Sequence, residues 1–236
     1  MESDADVSLA RRVHQILDRI RRAAERAGRL PDTVRLVAAT KTVPAERIRE
    51  GLGVGLAILG ENRMQEALSK VALLRDLSPR WHFIGQLQRR KVRDAIGTFE
   101  LIHSVDSVEL AQEINRRAGD VGVKQAVLLE VNIAGEASKA GFSPQVLTQE
   151  LGLLGDLPHL RIQGLMTIPP PTERPEDARP FFRDLRELGA RIAAQRISSV
   201  VMQEYSMGMS HDFEVAIEEG ATLVRVGTAI FGARNG

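Results

Sequence analysis

The stretch RLVAATKT, residues 35–42, runs four apolar residues, Leu36 to Ala39, directly into Thr40, Lys41 and Thr42. A short apolar run that stops at polar residues reads as a strand buried on both faces, the habit of a parallel sheet covered by helices. Upstream of it, residues 8–28 place Leu9, Val13, Ile16, Ile20 and Ala24 at helical spacing, with Ser8 able to cap the start and Gly28 able to end it. Downstream, apolar runs recur at 56–59, 81–84, 101–103, 126–131, 161–166, 200–204 and 222–226. The segments between them, 45–51, 64–74, 88–96, 108–117, 144–154, 175–194 and 213–219, interleave polar and apolar residues as helices do. Eight strands alternating with crossover helices predict an α/β protein: a single (β/α)8 TIM barrel with an extra N-terminal helix, in preference to a doubly wound sheet. Only the proline-rich run 168–175 reads as a long loop. No shift of composition divides the chain, so residues 1–236 are expected to form one domain.

The bulk numbers agree with one large α/β domain. Of the 236 residues 43% are apolar and 27% charged, as in an ordinary globular protein, and with aromatics at 4% the core is expected to be aliphatic. Lys and Arg total 32 against 31 Asp and Glu, so no whole-molecule field draws the chain to nucleic acid or to an anionic membrane. The absence of cysteine removes disulfides, thiolate metal sites and cysteine nucleophiles together, and the five histidines show no zinc-type spacing. The first residues are acidic rather than apolar and no run of 18 apolar residues occurs, so a cytoplasmic location and no metal are expected.

In a barrel of this kind the functional groups sit where strands end. Lys41 follows the first strand directly, and a lysine at a dry strand end can form an imine; the plainer alternative is a lysine that snorkels from the strand. The other four lysines have duller expected places: Lys70 and Lys91 on charged helix faces, Lys124 on the opposite rim, Lys139 in the loop 135–141. After the seventh and eighth strands come Ser206-Met207-Gly208-Met209-Ser210 and Gly227-Thr228, where this fold repeatedly binds phosphate, although a turn after a strand needs glycine anyway. Arg225, inside the eighth strand, must find an acceptor: a heteroaromatic ring nitrogen would serve, and so would the carboxylate of Glu204 or Glu130. Asn62, His82, Ser104 and Asn132 also lie near strand ends. Asp106 or Ser107, and Ser210, read as helix caps with no chemical role, and Tyr205 as a packing residue more than a base.

These segments together resemble the pyridoxal phosphate homeostasis proteins, relatives of the alanine racemase N-terminal barrel. The resemblance rests on residues 36–42, Gly60-Glu61-Asn62, Trp81-His82-Phe83-Ile84-Gly85, His103-Ser104-Val105-Asp106-Ser107, Gly164-Leu165-Met166-Thr167, residues 206–213 and Val224-Arg225-Val226-Gly227-Thr228, and it spans nearly the whole chain. It implies pyridoxal 5'-phosphate (PLP) held as a Schiff base on Lys41. Ser206, Gly227 and Thr228 would hold the phosphate, Arg225 would stand beside the pyridine nitrogen, and Asn62, Met166 and His82 would line the site. It further implies a monomer that buffers PLP and delivers it to apo PLP-dependent enzymes, with no catalytic residue of its own. The alternative is a PLP-dependent amino-acid racemase-like enzyme, whose second acid/base group comes from a separate domain that 236 residues leave little room for. Arg90 departs from the family pattern, which is expected to carry asparagine there.

Overall fold

In the computed structural model, which describes residues 8–232, the apolar run at the start becomes strand β1 (Arg35–Ala39). Seven more follow: β2 (Ile58–Glu61), β3 (Arg80–Phe83), β4 (Leu101–Val105), β5 (Gln125–Glu130), β6 (Leu160–Met166), β7 (Val200–Ser206) and β8 (Leu223–Val226). All pair in parallel, in sequence order, and β8 returns to β1 to close the barrel. The expected (β/α)8 architecture with its N-terminal helix is therefore the fold.

Several boundaries differ from expectation, and two matter for function. The second strand begins at Ile58 rather than residue 56, because the Leu56 N–H donates to Gly51 O at 3.0 Å and so still belongs to the preceding helix end. The seventh extends through Tyr205 and Ser206, since Ser206 pairs with both Met166 and Leu223. Ser206 is thus part of the barrel wall, not of the loop that follows it.

Helices α1 (Leu9–Arg26), α2 (Ala45–Gly53), α3 (Met64–Leu73), α4 (Val92–Ala95), α5 (Val108–Asp120), α6 (Pro144–Gly155), α7 (Arg179–Ala194), α8 (Phe213–Glu218) and α9 (Thr228–Phe231) surround the strands. Outward side chains pack against these helices in one large aliphatic cluster. Inward ones form a second, small cluster of Val37, Ile58, Leu101, Ala126, Leu128, Met166 and Leu223. Polar groups share the interior with it, for His82, His103, Ser206 and Arg225 are all buried there. Among the described residues no helix is long and apolar enough to cross a membrane.

The opening helix steadies the end of the molecule that holds the last two loops. Ser8 caps it by accepting from Arg11 N at 3.3 Å, and Leu9, Val13, Ile16, Ile20, Ala23 and Ala24 are all buried. From its other side Arg12 Nε donates to Ile230 O at 2.7 Å, while Arg19 pairs with Glu214 at 2.8 Å and lies 4.6 Å from the Phe213 ring centroid. Ile20 is 4% exposed. Ile20→Ala should cost about 2–5 kcal/mol of stability, read as a lower urea midpoint at unchanged slope.

Candidate functional site

The chain leaves β1 through a tight turn: Val43 N donates to Thr40 O at 3.0 Å, and Thr42 takes φ 64, the left-handed region that a β-branched residue rarely enters. Lys41 rides on this turn, half-buried. Its amine has no carboxylate within ion-pair distance and no hydrogen bond among the described residues. The turn borders a cavity of about 290 Å³ whose opposite wall is Gly227, Thr228 and Phe231. Glycine suits position 227, because a Cβ there would stand a tight 3.0 Å from Ala39 O and 3.2 Å from Ala39 Cβ. That close approach brings the loop after β8 against the end of β1.

On the same side, Ser210 Oγ lies 3.4 Å from Gly227 N and 3.2 Å from Thr228 Oγ1. A hydroxyl, a second hydroxyl and a backbone N–H thus converge beside the lysine cavity, a donor set suited to an anion. Ser210 does not cap α8 as its position suggested: Asp212 occupies the N-cap position, and its Oδ1 accepts from Met209 N at 2.6 Å. The expectation of a cap arose because a serine ahead of a helix usually serves as one.

Arg225 and Ser206 meet inside the barrel. Arg225 is 5% exposed and donates to Ser206 O at 2.8 Å, Ser206 Oγ at 2.5 Å and Thr167 O at 2.9 Å. It pairs with neither Glu204 nor Glu130. Glu204 is taken by Arg35 and by Thr222 Oγ1 at 2.6 Å, whereas Glu130 forms no ion pair among the described residues. Burial lowers the Arg225 pKa to about 10, so it remains charged at neutral pH. Burial also pushes Glu130 up to about 7, with Asp106 raising it further and Arg225 opposing.

The chain of polar contacts continues downward. His103 Nδ1 lies 2.8 Å from Ser206 Oγ, and His103 Nε2 lies 2.9 Å from His82 Nδ1. The Ser206 hydroxyl has one proton to give. Donating it to His103 Nδ1 puts the His103 proton on Nε2 and makes His82 Nδ1 the acceptor. Burial holds His82 down to about 3 and His103 well below the ordinary histidine range, so both rings are neutral. His103 had a legible signal, since in β4 it alternates onto the face of Leu101, which belongs to the inner cluster.

The remaining candidates separate. Met166 is 1% exposed in the inner apolar cluster. Asn62 borders a different cavity, about 470 Å³, shared with Arg63, Arg90 and Lys91; its buried Oδ1 has no partner, and it packs so closely on Gly85 that a Cβ there would be 2.6 Å from Asn62 Cβ. Arg90, the departure from the family pattern, donates to Gln88 Oε1 at 3.0 Å. Tyr205 packs outward on α7, where a Cβ at Gly189 would meet its Cε1 at 2.5 Å. Lys70, expected on a charged helix face, is instead 6% exposed. It turns toward the barrel because the buried Glu61 gives its ammonium a partner at 2.7 Å.

The sequence model of the alanine racemase N-terminal domain matches residues 12–235. The pyridoxal phosphate homeostasis protein of Aquifex aeolicus is 52% identical over 223 residues, covering 94% of this chain and 97% of that protein. The protein of the same name from Pseudomonas aeruginosa is 43% identical over 228 residues, covering 97% of this chain and 96% of that one. Among solved structures, PipY of Synechococcus elongatus with PLP bound superposes with a TM-score of 0.80 at 39% identity, covering 91% of this chain and 100% of that one.

The two neutral histidines set a pH dependence. Each has a folded pKa below its ordinary 6.5, so each contributes stability that is present above 6.5 and lost as the pH falls toward the folded value. Glu130, raised from 4.5 to about 7, acts oppositely across part of that window. His82→Asn should therefore reduce the rise of stability between pH 5 and 6 by about 1 kcal/mol per pH unit relative to the parent protein. Urea unfolding at pH 5, 5.5 and 6 reads this, and parallel slopes for the two proteins would contradict a neutral, buried His82.

Proposed function

This chain belongs to the pyridoxal phosphate homeostasis proteins, a family built on the alanine racemase N-terminal barrel, and from that premise we propose that it carries PLP on Lys41. It is a PLP-binding protein of cofactor homeostasis, and its relatives are named for that role and not for a reaction. The observation that carries the lysine assignment is that Lys41 and the Gly227–Thr228 turn face one cavity of about 290 Å³.

The residues present fit the cofactor. An amine with no ion-pair partner among the described residues suits an aldehyde. The converging Ser210 hydroxyl, Thr228 hydroxyl and Gly227 N–H suit a phosphate on the far side of the same cavity. When bound, PLP supplies an aldehyde carbon that an amine can capture and a pyridine ring that can withdraw electrons.

Arg225 is the group proposed to face the ring nitrogen. Its pKa of about 10 keeps it a donor at neutral pH, and a donor at that nitrogen holds it unprotonated, which weakens electron withdrawal and suits binding more than turnover. Ser206, with its hydroxyl already committed to Arg225 and His103, has the task of orienting Arg225, and Ser210 takes the phosphate role in its place. Met166 and His82 would form the wall beneath, while Asn62 borders the neighbouring cavity of about 470 Å³.

The finer reading is of one cofactor unit spanning the chain. It works as a cytoplasmic monomer that loads PLP through the open mouth and hands it to apo PLP-dependent enzymes, with neither nucleic acid nor membrane as partner. The near-balance of 32 basic and 31 acidic residues supports the last point.

Borohydride treatment of the PLP-loaded protein followed by peptide mapping should mark Lys41, and a label on Lys139 or any other lysine would overturn the assignment. Ser210→Ala should weaken PLP binding about tenfold or more, since a hydrogen bond to a charged group contributes about 1.5–3 kcal/mol. Unchanged affinity in equilibrium dialysis would place the phosphate elsewhere.

A further inference from the structure

Strand β2 reverses the usual direction of its last side chain's polarity. Gly60 faces the barrel interior, so Glu61 faces outward toward α3, and it does so fully buried. A buried carboxylate needs partners, and Glu61 has two on one oxygen: Thr40 Oγ1 at 2.5 Å and Lys70 Nζ at 2.7 Å. Lys70 then uses its other two protons on Thr40 O at 2.6 Å and Glu66 Oε1 at 2.6 Å, which completes its three bonds. Glu66 Oε1 in turn accepts from Thr42 N at 2.5 Å.

The residues on either side of Lys41 are thereby tied at three atoms, Thr40 O, Thr40 Oγ1 and Thr42 N, to one ion-pair network. Lys41 itself is not. Neither Glu61, Glu66 nor Lys70 lines the cavity that Lys41 borders. The tie at Thr42 N also holds a β-branched residue at φ 64, a conformation that persists only where the surroundings impose it. We propose that Glu61, Lys70 and Glu66 are positioning residues for Lys41: they hold the turn that aims its amine across the cavity at the Gly227–Thr228 side. This rests on Lys41 being the cofactor lysine.

The network's most accessible member provides the test. In Glu66→Ala the Thr42 N–H loses its acceptor, whereas Glu66→Gln keeps a carbonyl oxygen there and loses only the charge beside Lys70. The full-length proteins are titrated with PLP, reading the Schiff-base absorption band against PLP concentration and pH, with a circular-dichroism melt for each. Glu66→Ala should raise half-saturation about tenfold and displace the pH profile of the band while melting near the parent temperature. Glu66→Gln should return most of the affinity.

Equal affinity of Glu66→Ala and the parent would overturn the proposal, as would equal losses in Ala and Gln that follow a lowered melting temperature. Glu66→Asp keeps the charge but shortens the reach to Thr42, so it should behave as Ala does and replaces it in the titration if Glu66→Ala does not fold. Borohydride mapping of the parent protein separates the two readings. A label away from Lys41 removes the lysine assignment, while a label on Lys41 with an unaffected Glu66→Ala removes only the positioning role.

Discussion

Everything at the mouth of this barrel depends on how closely its last strand meets its first. β8 pairs with β1 from Leu223 opposite Arg35 to Val226 opposite Ala38, and the chain then passes so near Ala39 that a Cβ at 227 would crowd it. Closure at that spacing brings the Lys41 turn and Thr228, from opposite ends of the sequence, to the same cavity. The pairing of β7 with β8 is thinner, with Ser206 opposite Leu223 and the backbone bonds Thr222 N to Tyr205 O, Met207 N to Leu223 O and Arg225 N to Gly208 O. Support from outside compensates, as α1 buries its apolar face against this end of the molecule and Arg12 and Arg19 hold α9 and α8.

The interior imposes its own condition. Inward side chains of a closed eight-stranded barrel have no water to turn to, so a charge placed there must be answered by the protein. Arg225 is answered by two backbone carbonyls and a hydroxyl, neutral acceptors that leave its charge in place. Those bonds fix the guanidinium in one orientation and commit Ser206, which passes the constraint to His103 and then His82. A protonated histidine in that line would sit against the Arg225 charge, which adds to burial in keeping His103 neutral. The polar column is therefore a rigid support under the mouth.

Two supports of different kinds thus flank the lysine site. The inner one orients Arg225 from within the barrel, while the outer one, Glu61 with Lys70 and Glu66, grips the Lys41 turn from the helix side of the wall. Removing the Lys70 charge would strand the buried Glu61 carboxylate, at a cost of about 3–5 kcal/mol, whereas Lys70 would still have Glu66 if Glu61 were neutralised. The same alternation of side chains along a strand decides which support a residue joins: Arg225 points in, and Glu61, one residue past an inward glycine, points out.

The sequence by itself determined the barrel, its eight strands and its opening helix, because local apolar runs and helical spacing are properties of neighbouring residues. It also singled out Lys41, Gly227, Thr228 and Arg225, since strand ends in such a fold are where polar residues gather, and Lys41 with Gly227 and Thr228 do share a cavity. It placed Ser206 in a loop and Ser210 at a helix cap, and there the strand's true end decided otherwise: pairing with Met166 and Leu223 carries β7 through Ser206 and leaves Ser210 to face Gly227. It read Lys70 as a surface charge, because nothing local to α3 reveals the buried carboxylate of Glu61 waiting on β2. Strand termination and the partners of buried charges are set by residues distant in the chain, so only the closed tertiary structure could assign them.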